Sequence, residues 1–486
     1  MKLPIDANLG MIEPLLIVSG VAIALLVIDL MLPHGKKHLS AWIAMGAIVW
    51  ALWRTLAQWG GAVQHGYSGM VALDSLSTFF NVLFLASTGV VILLSHPFLK
   101  KEDVEHSEYY ALLLFATSGM MILASGLDLI TLFLGIEVLS ISLYILAGYR
   151  RNSDASNEAA MKYFLLGAFS SAILLYGIAL TYGATGSTSI LKIADVLGNT
   201  ATPVPEGLLY AGLALILVGL AFKVAAAPFH MWTPDVYEGA PTPITAFMSA
   251  GPKAGAFAAI VRVFFVAFGP VHAEWDAVLT VITILTMTVG NVAAIAQTNV
   301  KRMLAYSSIA HTGYVLIGIV SGGVIGGTGA LFYLLAYVTM NLGAFAVIIL
   351  LEHQGEKGDE LKDYAGLGFR YPILGALLSL FMISLSGIPP TVGFVGKLYL
   401  FGAAVSSGHI LLAVFGVLNS AVSVFYYLRL MVLMYMREPQ EALPKLRVPI
   451  ALAVVLLLTA AGTLLPGLWP SGLFEAAQNG VRALFS

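Results

Sequence analysis

Residues 215–241 read LILVGLAFKVAAAPFHMWTPDVYEGAP. An apolar run reaches Phe222, Lys223 interrupts it, and Pro228 stands five residues further on. Proline removes a backbone donor and clashes with the preceding turn, so a helix through this stretch must break near it. Whether the lysine is surrounded by water or by lipid depends on the rest of the chain. The chain has 486 residues, of which 59% are hydrophobic and only 10% charged. Soluble proteins carry roughly 25% charged residues, and the mean hydropathy here is +0.90. Too little polar surface exists to face water all round. Lipid is the expected solvent, and in lipid only helices or closed barrels satisfy their own backbone. Barrels alternate polar and apolar residues over short strands. These apolar runs are continuous and about 20 residues long, the length of a helix crossing roughly 30 Å of hydrocarbon.

Other classes fall away on composition. There are no cysteines, which excludes disulfides and cysteine-held zinc or iron–sulfur centres on this chain. A net charge of −2 gives no reason to expect nucleic acid. The N-terminal MKLPIDANLGMIEP lacks the basic region and cleavage site of a secretory signal, so the first apolar run is expected to be a retained span. No metal-ligand cluster, phosphate-binding glycine loop or nucleophile elbow is present in the sequence, and no metal or cofactor site is expected.

Apolar runs between polar breaks predict an all-α, polytopic membrane protein of fourteen helices. They fall near 11–32, 39–58, 72–96, 109–125, 127–148, 156–182, 208–238, 242–268, 275–297, 303–321, 327–352, 372–405, 409–436 and 447–469, followed by an amphipathic tail at 471–485. Alternate loops on one side collect Lys36, Lys37, Lys100, Lys101, Arg150, Arg151, Lys301, Arg302, Lys357, Lys362, Arg370, Arg437, Lys445 and Arg447. The opposite side, with both termini, has only Lys2, Lys192 and Arg482. The positive-inside rule then places the basic loops in the cytoplasm and both termini outside.

Seven of the 24 basic residues remain inside predicted spans. A charge at mid-bilayer requires a partner, a water cavity or a functional reason. Arg54, Arg262 and Arg429 lie near predicted helix ends, where snorkelling to the interface accounts for them. Arginine also stays protonated at any relevant pH and cannot carry a proton in and out. Lys162 is less than two turns into its helix, and snorkelling and function weigh equally there. Lys253, behind Pro252, is about 16 Å into its helix at 1.5 Å per residue. Glu137 is central in LDLITLFLGIEVLSISLYIL (127–146). Lys223 precedes Pro228, and Lys397 follows Pro389 and Pro390 in SLSGIPPTVGFVGKLYLF (384–401). Three lysines against one glutamate cannot all be static pairs. Burial disfavours an ammonium group and a nearby carboxylate favours it, so a mobile balance between them suits proton binding and release.

Helices four to eight and nine to thirteen form two five-helix units whose fourth helix is proline-broken. Because five is odd, the second unit enters the membrane from the opposite side, giving an inverted repeat with discontinuous helices at the ion path. The boundaries are 1–108 for three N-terminal helices, 109–268 and 269–436 for the repeats, and 437–486 for the last helix and tail. His230 after the first break and His311 in the tenth helix are candidate relays; hydrogen-bonded packing is the equal alternative for each.

Three stretches carry a family resemblance. AFKVAAAPFHMWTPDVYEGAPTPITAF (221–247), QTNVKRMLAYSSIAHTGYVLIG (297–318) and SLSGIPPTVGFVGKLYLF resemble the antiporter-like membrane subunits of bacterial proton-pumping NADH–quinone oxidoreductase (respiratory complex I). The WTPDVYEGAPTP wording is closest to the subunit N branch, and the likeness spans the whole chain. It implies a proton-translocating subunit of a bacterial inner-membrane enzyme, working with quinone reduction in other subunits. FMN, iron–sulfur clusters and quinone would belong to those partners, and subunits K and M would be the neighbours. It implies that Glu137 and Lys223 are the paired groups of the first half-channel, that Lys253 links the halves, and that Lys397 serves the outlet. Lys162 and His230 resemble residues of the connecting polar axis. The alternatives are a subunit of a multi-subunit sodium/proton antiporter, a subunit of a membrane-bound hydrogenase and, more remotely, a stand-alone transporter.

Overall fold

The computed structural model describes residues 8–31, 37–199, 203–353, 358–438 and 448–485. Of the charges that set orientation, Lys2, Lys36, Lys357, Lys445 and Arg447 lie outside the described residues. The N-terminal helices are α1 (Glu13–Met31), α2 (Leu39–Ala57) and α3 (Ser75–Glu102). Between α2 and α3 a short antiparallel hairpin pairs β1 (Gln64–Gly66) with β2 (Val71–Leu73). Next come α4 (Ser107–Ser125), α5 (Leu129–Ala147), α6 (Asp154–Thr185) and α7 (Ile190–Gly198), then α8 (Glu206–Lys223) and α9 (Trp232–Gly239). The eighth predicted span is α10 (Thr242–Ser249) followed by α11 (Gly251–Arg262) and a π-helical turn at Val263–Ala267. The second half contains α12 (His272–Ile295), α13 (Val300–Ser321), α14 (Gly323–His353), α15 (Leu367–Arg370), α16 (Pro372–Ser386), α17 (Val392–Ser406) and α18 (Ile410–Met436). The chain closes with α19 (Ile450–Leu468) and the tail helix α20 (Ser471–Arg482).

Among the described residues, thirteen helical segments are long and apolar enough to cross a membrane. The shorter α16 and α17 together supply the twelfth, broken crossing, so the chain is a multi-pass membrane protein with fourteen crossings. The core lies in the middle of this set. The apolar windows of 242–267 and α13 are each 94% buried and that of α14 is 89% buried, against 28% for α1 and α19. The outer helices keep one apolar side for lipid or partners, as a bundle solvated by hydrocarbon must.

Both expected breaks are present. α8 ends at Lys223, and the chain passes through Ala225 (φ +59) and a cis Ala227–Pro228 bond before α9. α16 ends at Ser386, and Gly387 (φ +82) and a cis Pro389–Pro390 bond precede α17. The helix expected over 242–268 is itself interrupted at Ala250, just ahead of Pro252, whose ring cannot continue the hydrogen-bond ladder. The hairpin and the amphipathic α7 were not foreseen, because their apolar stretches are too short to register as spans.

The two halves repeat local details as well as breaks. Asp128 caps α5 by accepting from the Ile130 and Thr131 amides, and Asn299 caps α13 by accepting from Arg302. At each cap an isolated antiparallel bridge ties the helix start to a later connection, Asp128 to Ser189 and Asn299 to Glu360. The helix that precedes each cap crosses its successor on glycine. A Cβ on Gly119 would stand 2.7 Å from the Leu139 amide, and one on Gly290 would stand 2.5 Å from that of Ala310. Small residues permit such backbone approach where lipid offers no competing gain.

Candidate functional site

α5 presents Glu137, Ser140 and Tyr144 on one face, at intervals of three and four residues. Lys223, the last residue of α8, donates to the Ser140 hydroxyl at 2.5 Å. Its ammonium lies 5.6 Å from the Tyr144 ring centre and 5.8 Å from that of Tyr163. Trp232 stacks on Tyr163 at 4.5 Å and donates its indole N–H to the Phe222 carbonyl, closing the break from the far side. No ion pair joins Glu137 to Lys223. They are electrostatic neighbours, and Glu137 Oε1 is buried with no hydrogen-bond partner among the described residues.

Lys253 is only 3% exposed and donates to both the carbonyl (2.8 Å) and the hydroxyl (2.5 Å) of Ser308 on α13. Lys397, also 3% exposed, donates to the carbonyls of Leu385 (3.1 Å) and Ser386 (2.9 Å) and to the Ser420 hydroxyl (2.9 Å). Its ammonium stands 4.8 Å from the Tyr314 ring centre. All three lysines therefore rest on a serine hydroxyl beside a tyrosine ring, for Lys253 that of Tyr337 at 5.9 Å. None has a carboxylate within ion-pair distance among the described residues.

α13 connects these stations. Ser308, His311 and Tyr314 recur every three residues along it, meeting Lys253, the intervening space and Lys397 in turn. His311 hydrogen-bonds to the hydroxyls of Tyr333 (2.7 Å) and Tyr427 (3.0 Å), and Tyr427 continues to Ser307. The neighbouring Thr312 donates to the Val224 carbonyl at 2.6 Å, so the same helix grips the first break. A hydroxyl can accept one hydrogen bond and donate another. Glu137 and Lys223 thus stand together on α5 and the first break, and Lys253, His311 and Lys397 follow one another along α13, with hydroxyls beside each lysine and beside His311.

Two expected members lie elsewhere. Lys162 forms ion pairs with Glu158 (2.6 Å) and Asp235 (2.7 Å), and its side chain is 40% exposed. Asp235 also holds Arg302, which reaches Glu238. This network joins α6, α9 and the start of α13 through ion pairs, and no hydrogen bond links it to the three lysines among the described residues. His230 makes no hydrogen bond to them either, and its Nδ1 is buried without a partner among the described residues.

The arginines divide as well. Arg54 pairs with Glu13 at 2.5 Å, and Arg429 donates to the Ile295 and Gln297 carbonyls near its helix end. Snorkelling does not describe Arg262. It is 1% exposed, donates to both oxygens of Asp74 (3.0 and 2.9 Å), and places Nε on the Ala124 carbonyl. Lys301, expected in a solvated loop, is buried between Glu352 (3.5 Å) and Asp359 (3.0 Å). Sequence reasoning also missed Ser140, Ser308, Ser420 and the tyrosines. For Ser140, Ser308 and Tyr314 the available signal was a spacing of three residues from Glu137 or His311; Ser420 and the other tyrosines carried no such signal.

A family description, NADH:quinone oxidoreductase/Mrp antiporter, transmembrane, matches residues 126–423. This chain belongs to that family. The subunit N of NADH-quinone oxidoreductase from Trichlorobacter lovleyi is 50% identical over 477 residues, 98% of each chain. That of Chloroflexus aggregans is 46% identical over 99% of this chain and 98% of its own. Among solved structures, a chain of respiratory complex I from Thermus thermophilus is 36% identical, with a TM-score of 0.79 over 95% of this chain and 98% of its own. A chain of the Mrp complex of Dietzia sp. DQ12-45-1b has a TM-score of 0.85 over 99% of this chain and 98% of its own, at 24% identity. That last likeness concerns the fold alone. The fold is thus shared with chains of respiratory complex I and of the Mrp complex, and Glu137, Lys223, Lys253 and Lys397 lie within the matched segment.

Proposed function

We propose that this chain is a membrane-arm subunit of a bacterial NADH–quinone oxidoreductase and translocates protons while other subunits reduce quinone. The observation that carries the role of the site is the set of three lysines, Lys253 and Lys397 buried and Lys223 half-buried, each on a hydroxyl and none with an ion-pair partner among the described residues. A lysine so placed can exist with or without its proton, whereas a matched salt bridge holds it charged. Protons pass between neighbours through hydroxyls and water, and the groups titrate as a set. Glu137 and Lys223 form the first station, Lys253 the link between halves, and Lys397 the outlet. Lys223 ends the half-helix α8 and Lys397 meets the carbonyls that end α16, placements that ease the charge when protonated, while Lys253 meets the Ser308 carbonyl within α13.

The division at 109–268 and 269–436 is part of this reading, supported by the paired caps, bridges and breaks. Both termini face outward across the bacterial inner membrane, with the basic loops in the cytoplasm. FMN, iron–sulfur clusters and quinone belong to partner subunits. Subunits K and M are the neighbours, and the apolar outer faces of α5, α6 and α18 offer surface for them. Leu134 (54% exposed) and Phe169 (70%) stand on this surface.

The test uses the intact complex in liposomes. Glu137→Ala with Lys223→Ala is expected to reduce NADH-driven proton uptake and coupled quinone turnover, by about tenfold or more for loss of a transfer group. NADH oxidation by a water-soluble acceptor at the peripheral arm should be unchanged. Wild-type pumping in the double variant would remove these residues from the path. Migration of a tagged chain in a small, redox-silent assembly, instead of with NADH dehydrogenase activity, would favour the sodium/proton antiporter reading.

A further inference from the structure

Lys253 has polar neighbours on a second side, which the stations along α13 do not use. On α14, Tyr337 and Asn341 lie one turn apart and are 1% and 0% exposed. The Tyr337 hydroxyl and Asn341 Oδ1 are buried and have no hydrogen-bond partner among the described residues. Asn341 donates instead through Nδ2 to the Ser249 hydroxyl at 2.6 Å. Ser249 is the last residue of α10, four residues before Lys253. At the other end of α10, Thr242 donates to Glu352 of α14 at 2.8 Å. Glu352 pairs with Lys301, and Lys301 with Asp359, whose side chain is 47% exposed at the loop. α10 and α14 therefore share a seam with a carboxylate at its open end, a lysine beyond its inner end and orphaned polar atoms beside that lysine. Buried polar atoms in native proteins are nearly always paired, commonly with ordered water.

We propose that this seam is a second proton-uptake route, running from Glu352 past Asn341 and Tyr337 to Lys253. It rests on the pumping role proposed above and adds a path into the central lysine that bypasses Glu137 and Lys223. A proton from the aqueous loop binds the Glu352 carboxylate as Lys301 shifts to Asp359, and then passes along ordered water and the Tyr337 hydroxyl, each hop breaking one O–H bond as the next forms. It ends on the Lys253 amine as an ammonium, and Glu352 is reprotonated from the aqueous loop. Asn341 is a positioning residue, orienting water with its free carbonyl oxygen.

Tyr337→Phe, Asn341→Leu, Asn341→Ser and Lys253→Ala should be compared in the intact complex reconstituted in liposomes. Tyr337→Phe removes a hydroxyl with no hydrogen-bond partner among the described residues, so a purely structural role predicts no loss. The proposed route predicts NADH-driven proton uptake lowered by about a hundredfold, the lower end of what a positioned proton-transfer group contributes. It also predicts a larger solvent deuterium isotope effect and partial recovery in Asn341→Ser relative to Asn341→Leu. Should Asn341→Leu fail to assemble, Tyr337→Phe alone decides. Wild-type uptake and isotope effect in Tyr337→Phe, with Lys253→Ala impaired, would overturn the route and leave the pumping role standing. Wild-type uptake in Lys253→Ala would overturn both.

Discussion

Arg262 and Lys397 are both basic, both nearly devoid of solvent exposure, and on helices of the same bundle. Their surroundings are opposite in kind. Arg262 meets both oxygens of Asp74 and a carbonyl, so its charge is neutralised and its donors are largely occupied. Lys397 meets two carbonyls and a hydroxyl, which accept its hydrogens without supplying a counter-charge. Lys223 is held more lightly still, by one hydroxyl and two aromatic faces. Buried charge in this chain thus comes in two forms. One is fixed by a matched partner and joins α11 to the start of α3. The other is left unneutralised where a proton must come and go.

The largest effect should come from breaking the matched pair. Asp74→Ala leaves a guanidinium buried without its anion, which costs about 3–5 kcal/mol in comparable buried pairs. It also removes the cap on α3, since Asp74 accepts from the Ser77 amide. Loss of assembled complex on native gels is the expected outcome. Replacing both partners, Asp74→Leu with Arg262→Met, should recover assembly because no unpaired charge remains. Failure of that rescue would mean the polar chemistry of Arg262 is itself required, and the division between fixed and working charges would not hold.

The lysines should behave in reverse, keeping the fold and losing the work. Lys397→Met leaves the Leu385 carbonyl with one partner fewer at the end of α16, where each unsatisfied buried group costs about 1–3 kcal/mol. Lys223→Met removes one donor from Ser140, whose hydroxyl still bonds to the Ile136 carbonyl, so its cost should be near zero. Thermal unfolding of the two purified variants would therefore separate them, with Lys397→Met melting lower, while proton uptake falls in both. Equal melting would show that the carbonyls around Lys397 find other partners.

What the sequence made legible follows from the physics that set each feature. Span count, breaks and buried lysines are local or periodic, and a run of apolar residues with one charge or a proline in it announces them. Both breaks occur where Pro228 and Pro389–Pro390 predict them. The partners were hidden because they are distant in the chain. Asp74 and Arg262 are 188 residues apart, and Lys253 and Ser308 are separated by 55. Depth along a helix could not tell Arg262 from a snorkelling arginine, since a carboxylate at the start of another helix was the deciding neighbour. Lys162 shows the converse. Its depth left two readings equal, and the structure pairs it with Glu158 and with Asp235 on a broken helix.

The smallest expected effect tests whether the breaks themselves are alike. Both turn through left-handed backbone, but one uses Ala225 (φ +59) and the other Gly387 (φ +82). An L side chain in that region costs roughly 1–2 kcal/mol, so the first break already bears that cost and the second does not. Gly387→Ala adds it, and its Cβ would come within 2.7 Å of Lys397 Cδ and 3.1 Å of Nζ. The lysine stem is flexible enough to move, but moving it withdraws the ammonium from the Leu385 and Ser386 carbonyls. Gly387→Ala should thus lower proton uptake along with stability. Ala225→Gly relieves backbone strain and touches no lysine donor, so uptake should stay at wild type and stability within about 1 kcal/mol of neutral. If Gly387→Ala pumps normally while melting lower, the glycine serves only the turn. If uptake falls more than stability accounts for, Gly387 holds Lys397 in register, and the second break is shaped around its lysine as the first is not.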